Sequence, residues 1–381
     1  MATKINARSP YYIKVSNASL NYATLNLYIY TGIFTTNKPA TAQYSITKTE
    51  LGTNNYVVFE ISELVRDYIE IEFDGNYNSQ CVWVEADITL YNSVGSSIGT
   101  SNTDYIALDG YGYFEEGVNP ELSRGLLQSN KTIFRYDDTN VRVPIFTEDT
   151  NSVAFFYQGV EKRVQTVSSS TNTNGQIDYI TVSGSDNNDT YKERVVDDGG
   201  TFEDSTCLAN FLNKIDIGKV DEVWVNTDLG TDIIQIKTVN CSRYEPYKVT
   251  FVNKFGVLQD IWFFRKSTES MNVKSEEFKA SIFSQDTLSY KTYQHQRQSY
   301  FVQGQDTISM NTGFLNDDYN QVIQELMLSE QVWLTKITDD EVILPIIPKT
   351  KSVTFKTSLN DRLANYTIEF DIAFDKINNI R

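Results

Sequence analysis

Along much of this chain, apolar and polar side chains change places one residue at a time. Leu25, Leu27 and Ile29 fall on one parity, and Asn26, Tyr28 and Tyr30 on the other. A period of two belongs to a strand with one face in a core, whereas a helix needs apolar residues three and four apart. Residues Asn55–Ile61, Gln80–Leu90 and Tyr105–Leu108 read as further strands. Composition points the same way, with 24 Tyr and 21 Phe against only 7 Pro. Aromatic and β-branched residues fit a pleated surface, and Asn and Gly fit the turns between strands. Charged residues make up 22%, fewer than a disordered or coiled-coil chain carries. The expected fold class is therefore mainly β with a few short helices, multi-domain, and built of β-sandwich-like modules.

A length of 381 residues suits two to four domains. We expect a first domain over residues 1–112, an N-terminal β-sandwich with one covering helix. Ile61, Leu64, Val65, Tyr68 and Ile69 recur at helical spacing there, with Ser62 near the N-cap. The run Gly110-Tyr111-Gly112 followed by Glu115-Glu116-Gly117 marks the boundary. A middle, acidic, β-rich domain follows over 113–248. Its expected strands are Thr132–Tyr136, Val153–Gln158, Ile177–Ser183, Val220–Asn226 and Ile233–Val239, with polar turns at Ser168–Gln176 and Gly184–Asp189. Ser205 caps a short helix whose apolar face is Leu208, Phe211, Leu212 and Ile215. The last domain, 249–381, reads as an α+β assembly domain. Strands fall at Val249–Val257 and Ile261–Phe264, then a helix at about Asp317–Glu330 with the stripe Tyr319, Val322, Ile323, Leu326 and Met327. Asp317 and Asp318 suit the positive end of that helix. A terminal hairpin is expected from Ser352–Thr357 and Asn365–Phe374, turning at Asn360-Asp361. Tyr366, Ile368, Phe370 and Ile372 share one face, and the helix stripe is its natural cover. No internal sequence repeat is visible.

The net charge of −17 is unevenly spread. Residues 1–248 hold 19 basic and 33 acidic side chains, and residues 249–381 hold 14 and 17. The acidic part would be repelled by nucleic acid and by anionic membrane, so neither is an expected partner. The near-neutral last third better suits packing against other chains. Cys81, Cys207 and Cys241 are odd in number and widely spaced, which excludes a CxxC-based zinc or redox site. Cys81 reads as a buried strand residue, and free thiols fit a reducing cytoplasm. The opening MATKINARSPYY lacks the apolar core of a secretory signal, and no apolar run reaches the roughly 18–20 residues that span a bilayer.

Catalytic signatures are nearly absent. His295 is the only histidine and sits in a polar stretch, so a site with two His ligands is impossible within one chain. Gly95-Ser96-Ser97-Ile98-Gly99 matches GxSxG, but the nucleophile elbow needs a helix behind its serine. Here the sequence continues Thr100-Ser101-Asn102-Thr103, and residues 92–103 read as a hairpin loop. Gly110 and Gly112 begin a GxGxxG that fails at Glu115. Asp186–Asp189 and Asp197–Gly200 offer clustered oxygens for calcium without EF-hand spacing, and read as polar turns. No pair among the 50 acids stands out as a glycosidase pair. Tyr28, Tyr30, Tyr111, Tyr113 and Phe114 could form a sugar-stacking platform, although cross-strand packing is the commoner role of such residues. We expect no enzymatic activity, no catalytic, cofactor-binding or metal-binding residues, no cofactor, and no small-molecule ligand.

Three stretches carry a resemblance. They are FVNKFGVLQDIWFF (Phe251–Phe264), NTGFLNDDYNQVIQELMLSEQVWL (Asn311–Leu334) and LPIIPKTKSVTFKTSLNDRLANYTIEFDIAFDKIN (Leu344–Asn378). In that order they resemble a recurrent pattern in tail-associated virion proteins of phages infecting marine and Bacteroidetes-type bacteria. SPYYIKVS (Ser9–Ser16) with LNLYIYTG (Leu25–Gly32) also looks like the N-terminal β-sandwich of those proteins. The resemblance implies a structural component of a phage virion, a tail or baseplate assembly protein forming a ring or adaptor. Its partners would be copies of itself and other virion proteins, and it would reside in the virion after assembly in the host cytoplasm. A head or neck collar or capsid-associated protein, and a receptor- or glycan-binding adhesin, are the alternatives.

Overall fold

The structure, a computed structural model, describes residues 3–52, 54–78, 81–122, 125–137, 139–167, 177–183, 220–239, 243–336, 342–355 and 363–377. Strands dominate, as their alternation requires. The chain divides into two compact units. The first comprises Met1–Cys241, Thr250–Ile261 and Asp318–Ser329, and the second Ser242–Val249, Trp262–Asp317 and Glu330–Arg381. The division differs from the three-part reading, because two pieces of the expected last domain, 250–261 and 318–329, group with the first unit.

The first unit contains two sandwiches. In the first, β1 (Thr3–Asn6), β7 (Ser97–Leu108), β6 (Cys81–Tyr91), β3 (Tyr22–Tyr30) and β4 (Tyr44–Thr49) form a sheet in that order. Strand β1 runs parallel to β7, and the other pairs are antiparallel. A pair of strands, β2 (Tyr12–Ser16) and β5 (Tyr56–Glu60), supplies the second layer. The inward parity of β3, with Leu25 and Leu27 both at 0% exposure, packs with Val84 and Ile88 of β6 and Val57 and Phe59 of β5. Cys81 is buried at the head of β6.

The covering helix α1 is short, Ser62–Arg66. Ile61 and Val65 enter the core, with Leu64 and Ile69 against it. Beyond Arg66 the chain tightens into turns, in which Tyr68 N–H donates to the Val65 carbonyl and Ile69 N–H to that of Arg66. Ser62 is the first helical residue and not the cap. Its N–H donates to the Glu60 carboxylate at 2.8 Å, and its hydroxyl donates to the same oxygen.

The second sandwich repeats the first strand for strand. Its sheet order is β8 (Thr132–Tyr136), β14 (Gly230–Val239), β13 (Glu222–Thr227), β10 (Thr150–Tyr157) and β11 (Val160–Thr166). Again the first strand of the module lies parallel to the last. The small second layer is β9 (Val141–Phe146) with β12 (Ile177–Val182). Val143, Ile145, Val153, Phe155, Val223, Val225 and Ile234 fill the core. The expected helix Ser205–Ile215, the turns Ser168–Gln176 and Gly184–Asp189, and Cys207 and Cys241 lie outside the described residues.

The helix expected near 317–330 is α2, Tyr319–Leu328. Tyr319, Val322, Ile323 and Leu326 are buried as its stripe predicts. They face the second sandwich: the Asp318 carboxylate accepts the N–H groups of Lys131 and Thr132, and the Tyr319 hydroxyl accepts that of Phe134 at 3.1 Å. Asp318 thus secures the start of β8 instead of capping its own helix. The helix expected to cover the C-terminal strand belongs to the first unit.

A seven-stranded sheet organises the second unit. Its order is β16 (Leu258–Phe263), β15 (Tyr247–Val252), β20 (Val332–Lys336), β21 (Val342–Pro348), β23 (Thr367–Ile372), β18 (Arg297–Asn311) and β17 (Thr268–Lys279). The unit division falls within β15 and β16. A two-residue pair, β19 (Leu315–Asn316) with β22 (Leu363–Ala364), completes the strands. Tyr366, Ile368, Phe370 and Ile372 are all buried, while Thr367 and Glu369 are exposed, as the alternation predicts. The expected hairpin is not what pairs them. Residues 352–355 are not strand, and 356–362, with the Asn360-Asp361 turn, lie outside the described residues. Strand β23 instead lies between β21 and β18, with Ile372 opposite Ile346 and Ile368 opposite Met310.

Candidate functional site

Most strands here bury one face. The outer hairpin of the second unit buries neither. All twelve residues of β17 are exposed, and so are the first six of β18, Arg297–Val302. The two strands pair without interruption from Thr268 opposite Ser309 to Lys279 opposite Arg297, with one bulge at Glu276/Glu277. At the usual rise per residue the paired arm is about 40 Å long. Its inner end is anchored in the sheet, where Ile308 and Met310 of β18 are buried. Beyond Gln303 its side chains are exposed, and among the described residues they pair with one another. Phe278 packs on Tyr300 with ring centroids 6.2 Å apart, and the Tyr300 hydroxyl donates to Glu276. Ala280 N–H donates to the Gln296 carbonyl, and the tip closes on a bridge between Ser284 and Ser289.

A two-stranded hairpin is marginal in water, and apolar side chains on both of its faces add to the cost of leaving it bare. Leu288 is 78% exposed and Tyr293 73%, with Met271, Val273, Phe283 and Tyr290 each more than half exposed. Strand β17 is also the edge of its sheet, so its outward N–H and C=O groups form an unfilled ladder. What this arrangement can do is bind: it offers backbone pairing along an edge and aromatic anchors at a tip.

The sequence reading passed over the arm. Its alternation breaks at the Glu276/Glu277 bulge, and side chains exposed on both faces carry no inward parity to detect. One signal was present: no Gly or Pro occurs between Val257 and Gln303, a stretch free of the residues that end strands.

The residues weighed for chemistry fall elsewhere and separately. Ser97 of GxSxG is the first residue of β7, exposed, after a tight turn in which the Asn92 side chain accepts the N–H groups of Val94 and Ser96. Residues 97–103, expected as loop, are strand paired with β6. Their Ser, Thr and Asn residues face solvent, which hid the alternation. His295 is an exposed loop residue near the arm tip. Tyr30 is buried and donates to Glu85, while Lys38 lies 4.2 Å above the Tyr28 ring. Tyr111 and Tyr113 pack edge to face at 5.7 Å, and Phe114 is 99% exposed. Asp186–Asp189 and Asp197–Gly200 lie outside the described residues. Among the described residues, no group of three or more His, Cys, Asp or Glu could hold a metal ion, and no helix is long and apolar enough to cross a membrane.

Two buried polar clusters have shifted acidities. Burial holds the Tyr77 phenol well above its usual range, reinforced by Asp260, whose carboxylate accepts the Tyr77 hydroxyl at 2.6 and 2.7 Å. Burial likewise raises the carboxyl of Glu325 on α2, against hydrogen bonds from the Ser129 hydroxyl and the Lys254 N–H. Both clusters tie separate segments of the first unit together. No protein-family model matches the chain, and no curated protein matches its sequence.

Proposed function

We propose that the protein is a structural subunit of a phage particle, a tail or baseplate protein that forms a ring or adaptor with copies of itself and with other virion proteins, and has no enzymatic role. The observation that carries this reading is the bare arm. A strand pair exposed on both faces, with an open edge and aromatic side chains at its tip, suits a subunit whose surface is completed by neighbours. The resemblance of Phe251–Phe264, Asn311–Leu334 and Leu344–Asn378 to tail-associated virion proteins supplies the setting. Mass spectrometry and electron microscopy of purified particles test it. The protein should be found in the particle at fixed copy number, in the tail or baseplate. Its absence from particles made by a host that expresses it would overturn the reading.

A further inference from the structure

The net charge of this chain is not shared between its units. The first unit holds 18 of the 33 basic and 35 of the 50 acidic residues, and the second holds 15 of each. The whole −17 therefore resides on the first unit. The arm tip departs in the other direction. Between Lys279 and Arg297 the exposed charges are Lys279, Lys291 and Arg297 against Asp286 alone. The first unit in turn presents a strip, residues 63–74, where Glu63, Asp67, Glu70, Glu72 and Asp74 are all exposed and the one cation, Arg66, is paired with Asp109. Tyr68 among them is 38% exposed and supplies apolar area.

We infer that the arm tip of one copy docks on the acidic strip of a second copy. This rests on the assembly reading above and names the partner of its surface. Two copies meeting through their first units would set like charge against like, and two arm tips meeting would do the same with the opposite sign. Tip against strip brings cations to carboxylates, with Tyr290 and Tyr293 to bury beside Tyr68. An arm of about 40 Å has the reach for such a contact. Because the two surfaces differ, the contact is heterologous, so repetition gives a closed ring or an open filament. A polyanionic nucleic acid is the weaker candidate for the tip, since the chain as a whole carries a net charge of −17.

Sedimentation velocity on the full chain, over a range of concentrations at low and high salt, tests the inference. The chain should self-associate, and more weakly at high salt. Lys279→Glu/Lys291→Glu/Arg297→Glu should weaken association by at least roughly tenfold. Glu63→Lys/Asp67→Lys/Glu70→Lys should do the same, and combining the two sets should restore it. Circular dichroism checks that each variant is folded. A chain that stays monomeric, tip reversal without effect, or failure of the combined variant to recover would overturn the inference. So would a monomer whose tip binds DNA or another particle protein. If the chain is monomeric yet present in particles, only this inference fails. If it associates through tip and strip yet is absent from particles, the assembly contact stands and the phage reading fails.

Discussion

Glu325 shows how one side chain can fix a segment in place and leave a signature in solution. It is fully buried on α2, and two of its hydrogen bonds reach residues distant in sequence, Ser129 and Lys254. Burial favours the neutral carboxyl, so its native pKa lies above the unfolded value. The sign follows from proton linkage. Between the two values the native chain keeps a proton that the unfolded chain has released. The stability this group contributes is thus full below the unfolded value and is lost as pH rises through the native one. Glu325→Gln keeps one oxygen to accept the Lys254 N–H, turns its amide N–H toward the Ser129 hydroxyl, which can accept it, and does not ionise. Wild type and variant should be close in stability at acid pH. The variant should gain progressively as pH rises to neutral and above. Denaturant unfolding of both at a series of pH values checks this, and a difference independent of pH would contradict it.

At the scale of the element, β23 shows what alternation specifies and what it leaves open. Its faces are set by sequence alone: Ile368 and Phe370 are at 0% exposure and Glu369 points to solvent. A shift of one residue would exchange these sets, so its register is well defined. Ile368→Asp would place an unpaired carboxylate opposite Met310, in a core where Phe370 meets Phe263 edge to face at 6.0 Å. Such burial costs several kcal/mol, comparable to the ~5–15 kcal/mol that holds a domain together. The second unit should lose its strand signal and become sensitive to protease. Glu369→Lys should change stability by no more than about 0.5 kcal/mol. Circular dichroism and limited proteolysis distinguish these outcomes, and a protease-resistant second unit in Ile368→Asp would refute the face assignment. Partners were not legible in the same way. The neighbours of β23 are β18 and β21, and nothing within its own residues selects them over the nearby Ser352–Thr357. Helix α2 was legible in extent and stripe for the same reason β23 was, and its destination was hidden for the same reason. The bare arm was the least legible element, because a strand that buries no face has no parity to read.

At the scale of the molecule, the two sandwiches of the first unit share one strand order although no sequence repeat joins them. Pairing order needs only alternation and turns in the right succession, and many sequences supply both, so a repeated fold can leave no repeated residues. Charge is a different kind of whole-molecule property, carried by sequence but assigned to a body only once the units are known. With the full −17 on the first unit, that unit is destabilised by its own repulsion at low ionic strength, and the second, with equal numbers of each sign, is not. Added salt screens such repulsion over about 10 Å at roughly 0.1 M. Raising salt from low to physiological strength should therefore stabilise the first unit and leave the second nearly unchanged. The tryptophans allow the two to be followed apart, since Trp83 and Trp224 lie in the first unit and Trp262 and Trp333 in the second. In a chain with Trp262→Phe and Trp333→Phe, the fluorescence midpoint should rise with salt. In one with Trp83→Phe and Trp224→Phe it should stay almost constant. Measurement at protein concentrations low enough for sedimentation to show a monomer keeps self-association from adding a salt dependence of its own. Equal shifts in both reporters would mean that the acidic surface is already neutralised in the folded chain, and that the charge asymmetry has no energetic consequence.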